Sequence, residues 1–288
     1  MQIKFIKSPA QIATKAALLV TLALTMSACS TFGSNKKEKL AYVERPAEQI
    51  YRQGYDQMEE GDWDRAKLFF NEVERQHPFS QWARRSMLMT AYASYRGTDY
   101  EDSIATAQRF IGLHPGSDSA PYAYYLIAMS YYDQIFDVGR DQETTVNAES
   151  ALQQVVRRYP ESDYAADARL KLELTHDHLA GKEMAVGRFY LKQNQQLAAI
   201  GRFNNVVRNY ETTSQTEEAL HRLVEAYVGL GIIGEAKMVG SVLGYNHPAS
   251  PWYADSYELL AEYGVNLDEE VEKPRDRGYW TRLKERLF

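Results

Sequence analysis

The chain has 288 residues, 44% of them hydrophobic, enough to bury a large core or a long quasi-one-dimensional one. Its formal net charge of -6 leaves no basic footprint for nucleic acid, and its single cysteine excludes an intramolecular disulfide. Tyrosine is unusually abundant, at 21 residues.

At the N-terminus, Lys4, Lys7 and Lys15 precede the apolar run Ala16 to Met26, and Ser27-Ala28-Cys29 follows it. A positive region, an apolar stretch too short to span a bilayer as a mature helix, and small residues before a cleavage point read as an export signal. The cysteine directly after the small residue resembles a bacterial lipoprotein signal, with Met26 where Leu or Val is usual. That resemblance implies removal of residues 1–28 and N-acyl and S-diacylglycerol groups on Cys29, with no other cofactor. Ser30 in place of Asp implies onward export to the outer membrane. Residues 29–45, polar and lysine-containing, then serve as a lipidated tether. No later run reaches spanning length, so the body is expected to be soluble and periplasmic, held to the outer-membrane lipid through its acyl anchor.

The body repeats. Ala66 leads to Pro78, Ser103 to Pro115, Ala148 to Pro160 and Ala236 to Pro248, each by twelve residues; Ala199 leads to Glu211 by the same step. Two residues further on stand Ser80, Ser117, Ser162, Thr213 and Ser250. A small residue, an amphipathic dozen, a proline stop and a hydroxyl describe one helix ending and the next being capped. Twelve residues before the first four signature positions lie Gly54, Ala91, Ala128 less an insertion, and Gly187, which places a first helix ahead of each of these. Turns are expected at Gly61-Asp62-Trp63, Gly97 to Tyr100 and Gly229 to Gly234. The third unit carries about eight extra residues, Phe136 to Glu143, and the fourth has an unbroken helical pattern from Tyr164. This pattern resembles the tetratricopeptide repeat and implies an all-α superhelical solenoid of five helix pairs plus a C-terminal capping helix, Trp252 to Tyr263.

The first helices should line a concave face. Spacing of i, i+3, i+7 and i+10 places there Glu48, Tyr51, Tyr55 and Met58, then Arg85, Leu88, Tyr92 and Tyr95 with Arg96 beside them, then Tyr122, Tyr125, Met129 and Tyr132. Tyrosine and arginine give contact area at low entropy cost, so the surface reads as a peptide groove, with roughly half of the rings packed between helices. On the second helices, the column three residues after the signature position holds Phe69, Thr106, Ala151, Arg202 and Val239. Arg202 is the one charge there, and points either to solvent or to a partner.

Catalysis is not expected. The string GLGIIG, Gly229 to Gly234, matches a dinucleotide fingerprint but follows a helical pattern, so it reads as a turn. His176 and His178 fall on different helix faces, which suits no shared metal, and His221 has no ligand partner at suitable spacing. His77, His114 and His247 end second helices, where an imidazole can cap carbonyls. After an acidic run, Asp268 to Glu272, Trp280, Leu283 and Leu287 form a short amphipathic segment in a charged tail, 264–288.

The insertion IFDVGRDQE, followed by ALQQVVRRYPESDYAADARLKL and VGRFYLKQNQQLAAIGRFNNVVRNY, is similar in order and spacing to the BamD family of β-barrel assembly lipoproteins. The resemblance covers roughly Arg45 to Tyr263. It implies a non-catalytic scaffold that binds a BamA-like barrel insertase subunit, other assembly lipoproteins and unfolded outer-membrane proteins, but no nucleic acid. It assigns substrates to repeats one to three (46–160) and the insertase to repeats four and five with the capping helix (161–263), Arg202 matching the family's contact arginine. The rival reading is a periplasmic repeat adaptor for other envelope or peptidoglycan machinery.

Overall fold

The computed structural model describes residues 43–139 and 141–267; Cys29, most of the tether and residues 268–288, with Trp280, Leu283 and Leu287, lie outside them. In the described chain eleven helices follow one another: α1 (Ala47–Glu59), α2 (Trp63–Gln76), α3 (Gln81–Arg96), α4 (Tyr100–Leu113), α5 (Ala120–Tyr132), α6 (Glu143–Arg158), α7 (Asp163–Lys192), α8 (Gln196–Asn209), α9 (Thr216–Gly229), α10 (Ile233–Asn246) and α11 (Pro251–Glu262). Each helix packs on its chain neighbours, and α1, α3, α5, α7 and α9 also touch in succession. Five hairpins stacked this way, closed by α11, form an all-α solenoid with the first helices sharing one face.

A backbone detail sets the hairpins. Gly61, Thr98, Asn194 and Gly231 all have positive φ, from 56 to 79°, and each lies five residues before its repeat's signature residue. The turn therefore demands a left-handed residue at one register, met twice by glycine and twice by residues that tolerate the conformation at some cost. In the third repeat the insertion replaces this turn. Its Val138 packs on α7 at Gly181, and Gly139 O accepts a bond from Lys182 Nζ at 3.2 Å.

Size complementarity holds each hairpin together. A Cβ on Gly54 would sit 2.8 Å from the Phe70 ring, and one on Gly187 would sit 2.4 Å from the Phe203 ring. Both phenylalanines are fully buried. The corresponding pairs in repeats two and three are Ala91 with Ala107 and Ala128 with Leu152, all buried to 0%. Glycine thus stands opposite phenylalanine, and alanine opposite something smaller.

The core lies in blocks. One cluster runs from Met87 to Ala168 and another from Ala180 to Leu267, with Phe70, Ala66 and Ala93 as a small third. The 30-residue α7 supplies Ala168 to the first and Ala180 and Met184 to the second. Beyond α11, Leu267 is fully buried near Gly240, so packing continues past Tyr263, where the charged tail was expected to begin.

The hydroxyl restarts divide. Ser80, Ser162 and Ser250 cap their helices through Ala83 N, Ala165 N and Trp252 N. Ser117 and Thr213 do not. Ser117 Oγ accepts from Ser119 N, because α5 starts three residues later, and Thr213 Oγ1 donates back to Tyr210 O at 2.8 Å. Expecting all five to be caps was wrong for these two.

Candidate partner-binding surfaces

On the shared face, α1, α3, α5 and the start of α7 bring the predicted aromatic residues together. Tyr122 and Tyr125 both pack on Tyr164, with centroids 5.4 and 5.2 Å apart. Tyr125 OH donates to Asp167, which also accepts from Lys171 Nζ at 2.8 Å, and Lys171 stands 5.7 Å from the Tyr132 ring. Tyr95 OH donates to Asp133 at 2.5 Å. Arg96 lies over Trp63 at 5.0 Å and donates to Tyr92 OH at 3.0 Å, while Arg85 lies over Trp82 at 5.3 Å. These contacts join α3 to α5 and α5 to α7, so the groove is a linked network.

Burial raises the phenol pKa values of Tyr95, Tyr122 and Tyr125 far above their usual range, and acceptance by Asp133 and Asp167 reinforces this for the first and last. Asp167 goes the other way: burial opposes its ionisation, but bonds from Lys171 and Tyr125 outweigh that and hold it low. These phenols stay protonated donors and Asp167 a charged acceptor across ordinary pH.

Of the seven groove tyrosines, six are partly buried, more than the half expected; Tyr55 alone is exposed, at 45%. Tyr51 packs between Phe70 and Trp82 at 5.4 and 5.0 Å, and Met129, expected on the groove, is 8% exposed and belongs to the core. Sequence reasoning missed Trp82, Tyr164, Asp133, Asp167 and Lys171. Tyr164, Asp167 and Lys171 lie on α7 ahead of the register that Gly187 defines, and the Tyr–Asp pairs span 38 and 42 residues.

The second surface is the outer face of α8. Arg202 is exposed, whereas Thr106, Ala151 and Val239 of its column are buried and Phe69 partly so. Its Nη1 lies 3.3 and 3.2 Å from the two oxygens of Glu183 on α7. Glu183, Leu197, Ala198, Gly201, Arg202 and Arg208 border an open depression of about 510 Å³.

The histidines have structural surroundings. His77, His114 and His247 end α2, α4 and α10 through their backbone N–H groups. Their rings do not cap those helices as anticipated: His77 Nε2 meets Arg45 O at 2.7 Å, His114 packs on Phe110 and His247 Nδ1 meets Glu217 at 3.1 Å. All three cap residues share one backbone conformation, φ -134 to -133° and ψ 55 to 58°, which leaves the helix and lets each ring reach a neighbour. His176 pairs with Glu149 at 3.1 Å while His178 is exposed. The Gly229 to Gly234 string is the α9–α10 turn.

Stacked helix pairs with an aromatic inner face and a charged, indented outer one define a tetratricopeptide-type solenoid. The chain belongs to the outer membrane lipoprotein family YfiO, whose profile matches residues 43–242, and this is the BamD family. It is 54% identical over 252 residues to the outer membrane protein assembly factor BamD of Caulobacter vibrioides, covering 88% of this chain and 81% of that one. The same-named proteins of Rickettsia prowazekii and Neisseria meningitidis serogroup A are 41% and 33% identical, each over 85% of this chain and 96% and 95% of theirs. A thermophilic TPR protein of Thermus thermophilus aligns at 16% identity and a TM-score of 0.35, covering 75% of this chain and 98% of that one. The fold rests on the helix order and packing above rather than on that likeness. Among the described residues no helix is long and apolar enough to cross a membrane.

Proposed function

We propose that this chain is a non-catalytic scaffold of outer-membrane β-barrel assembly. Acyl groups on Cys29 hold it on the periplasmic face of the outer membrane. Repeats one to three hold an extended, unfolded outer-membrane protein along the tyrosine groove. Repeats four and five dock the barrel insertase, a BamA-like subunit, through Arg202, and other assembly lipoproteins join the same complex. The observation that carries this reading is the 54% identity to an outer membrane protein assembly factor across 88% of the chain.

The groove's chemistry suits varied clients. Tyr95 and Tyr125 spend their hydroxyls on Asp133 and Asp167, so what they offer a peptide is ring area. Ring faces tolerate many side chains, and rings fixed in advance lose little entropy on binding. At α8, Arg202 pairs with Glu183 through Nη1 and is half-exposed, so its guanidinium is accessible to a partner.

The test is co-purification of the insertase with the acylated protein. Arg202→Glu reverses a half-exposed charge and should reduce insertase recovery while circular dichroism and melting stay at parent values. Undiminished recovery would remove Arg202 from the contact.

A further inference from the structure

We infer that the loop edge of the first two repeats rests on the membrane, with Phe79 in the interfacial layer of the lipid and Arg84 against anionic headgroups. The inference rests on the reading that Cys29 is acylated, and it specifies which side of the solenoid turns toward the bilayer.

Phe79 carries the argument. It is fully exposed in the α2–α3 loop. An apolar residue just before a helix cap often packs on the fourth residue of that helix. Ser80 caps α3 and the fourth residue is Arg84, so no apolar seat is supplied there. One residue before the corresponding hydroxyls stand Gly116, Glu161, Thr212 and Ala249, so the repeat itself does not call for an aromatic at this position. Arg84 is exposed and makes no ion pair among the described residues. An exposed ring beside an unpaired guanidinium is the combination that interfacial lipid binding uses. Leu113, 58% exposed where α4 ends, adds apolar area on the same edge.

The tether enters at the same loop. Arg45 N donates to Gln76 Oε1 at 3.1 Å, and His77 Nε2, two residues before Phe79, lies 2.7 Å from Arg45 O. The chain from Cys29 therefore joins the solenoid at the end of α2 that bears Phe79. The Asp62 end lies about 21 Å away, across 14 residues of helix. Sixteen residues separate Cys29 from Arg45, so the anchor keeps this edge within about 55 Å of the lipid even at full extension. At that range a contact too weak to recruit a free protein is still populated, because the second attachment is intramolecular. That proximity favours lipid over a protein as the occupant.

The experiment uses the acylated full chain in vesicles of phosphatidylethanolamine and phosphatidylglycerol. With Cys29 acylated, Gln81→Cys or Glu60→Cys, both at exposed positions beyond opposite ends of α2, provides the one thiol for an environment-sensitive dye. Quenching by headgroup-spin-labelled lipid should be at least threefold stronger at Gln81→Cys than at Glu60→Cys. Phe79→Ser and Arg84→Glu, each added to Gln81→Cys, should cut that quenching at least twofold while Tm stays at the parent value, because both side chains are exposed. Flotation of the same vesicles reads anchoring separately. Equal quenching at the two positions in protein that floats overturns the membrane contact, leaves a protein as the occupant at Phe79 and keeps the Cys29 anchor standing. Undiminished quenching in Phe79→Ser or Arg84→Glu also overturns it, because those residues would not make the contact. Protein that fails to float removes the Cys29 anchor and this inference with it.

Discussion

Gly187→Ala is a change that helix propensity alone misjudges. In an isolated helix, alanine is favoured over glycine by about 1 kcal/mol. Here the new methyl would stand 2.4 Å from Phe203 Cε1 and 2.8 Å from Cδ1 and Cζ, more than an ångström inside normal contact. Phe203 is fully buried and has no free direction to move. Overpacking of this kind costs roughly 1–3 kcal/mol, and contact with several ring atoms puts it at the upper end, so the net loss should be about 1–2 kcal/mol. For a body of this size that lowers Tm by about 2–8 °C. Adding Phe203→Leu recreates the Ala128–Leu152 pairing of the third repeat, and the double variant should be more stable than additivity predicts by about 1 kcal/mol or more. Thermal melts of the four proteins at 222 nm measure the cycle. A Gly187→Ala protein more stable than the parent, or strict additivity, would refute size matching as the reason for the glycine.

The other tests are simpler. Ser80→Ala and Ser162→Ala should each cost about 1 kcal/mol through loss of a helix cap, and Ser117→Ala almost nothing; equal effects in urea titrations would show that the hydroxyl bonds are not what matters. His221 should make stability fall in acid. Burial lowers its pKa, which Glu225, Asp255 and Glu218 oppose and Arg222 assists. The unfolded chain then takes up the proton more readily, so the stabilisation present above about pH 6.5 is lost as pH falls from there through the folded value. Melting from pH 7.5 to 5 should therefore show a shallower decline for His221→Gln, and an unchanged slope would assign the acid sensitivity elsewhere. Cys29→Ala should release the protein from the outer membrane in fractionation, and full retention would contradict lipid anchoring.

Much of the solenoid can be read from local chemistry, because each hairpin repeats its own signature. Small residues at Ala66, Ala148 and Ala199, prolines after the second helices and hydroxyls two residues later are separated by fixed numbers of residues. The site was less legible. Tyr92, Tyr122 and Tyr125 follow the helical period, so their shared face could be anticipated; Tyr164 and Asp167, which meet Tyr122 and Tyr125, come from a helix extended beyond the repeat register. Arg202 stood out as a charge in an uncharged column, yet Glu183, nineteen residues earlier on another helix, had no periodic relation to it. Ser117 and Thr213 show the limit of spacing arguments: the position is right, but a late helix start and a backward-donating hydroxyl change what the side chain does.

The two surfaces share one rod. Asp167, at the groove, and Glu183, under Arg202, both project from α7. Sixteen residues of helix separate them by about 24 Å and roughly 160° of rotation. Their relative aim is therefore a phase set by residue count. One residue added between them would swing one surface about 100° around the rod while lengthening it by only about 1.5 Å. Seven residues, close to two whole turns, would change the distance and nearly keep the aim. In α7 chain length thus tunes reach and direction separately, as it would in a threaded shaft.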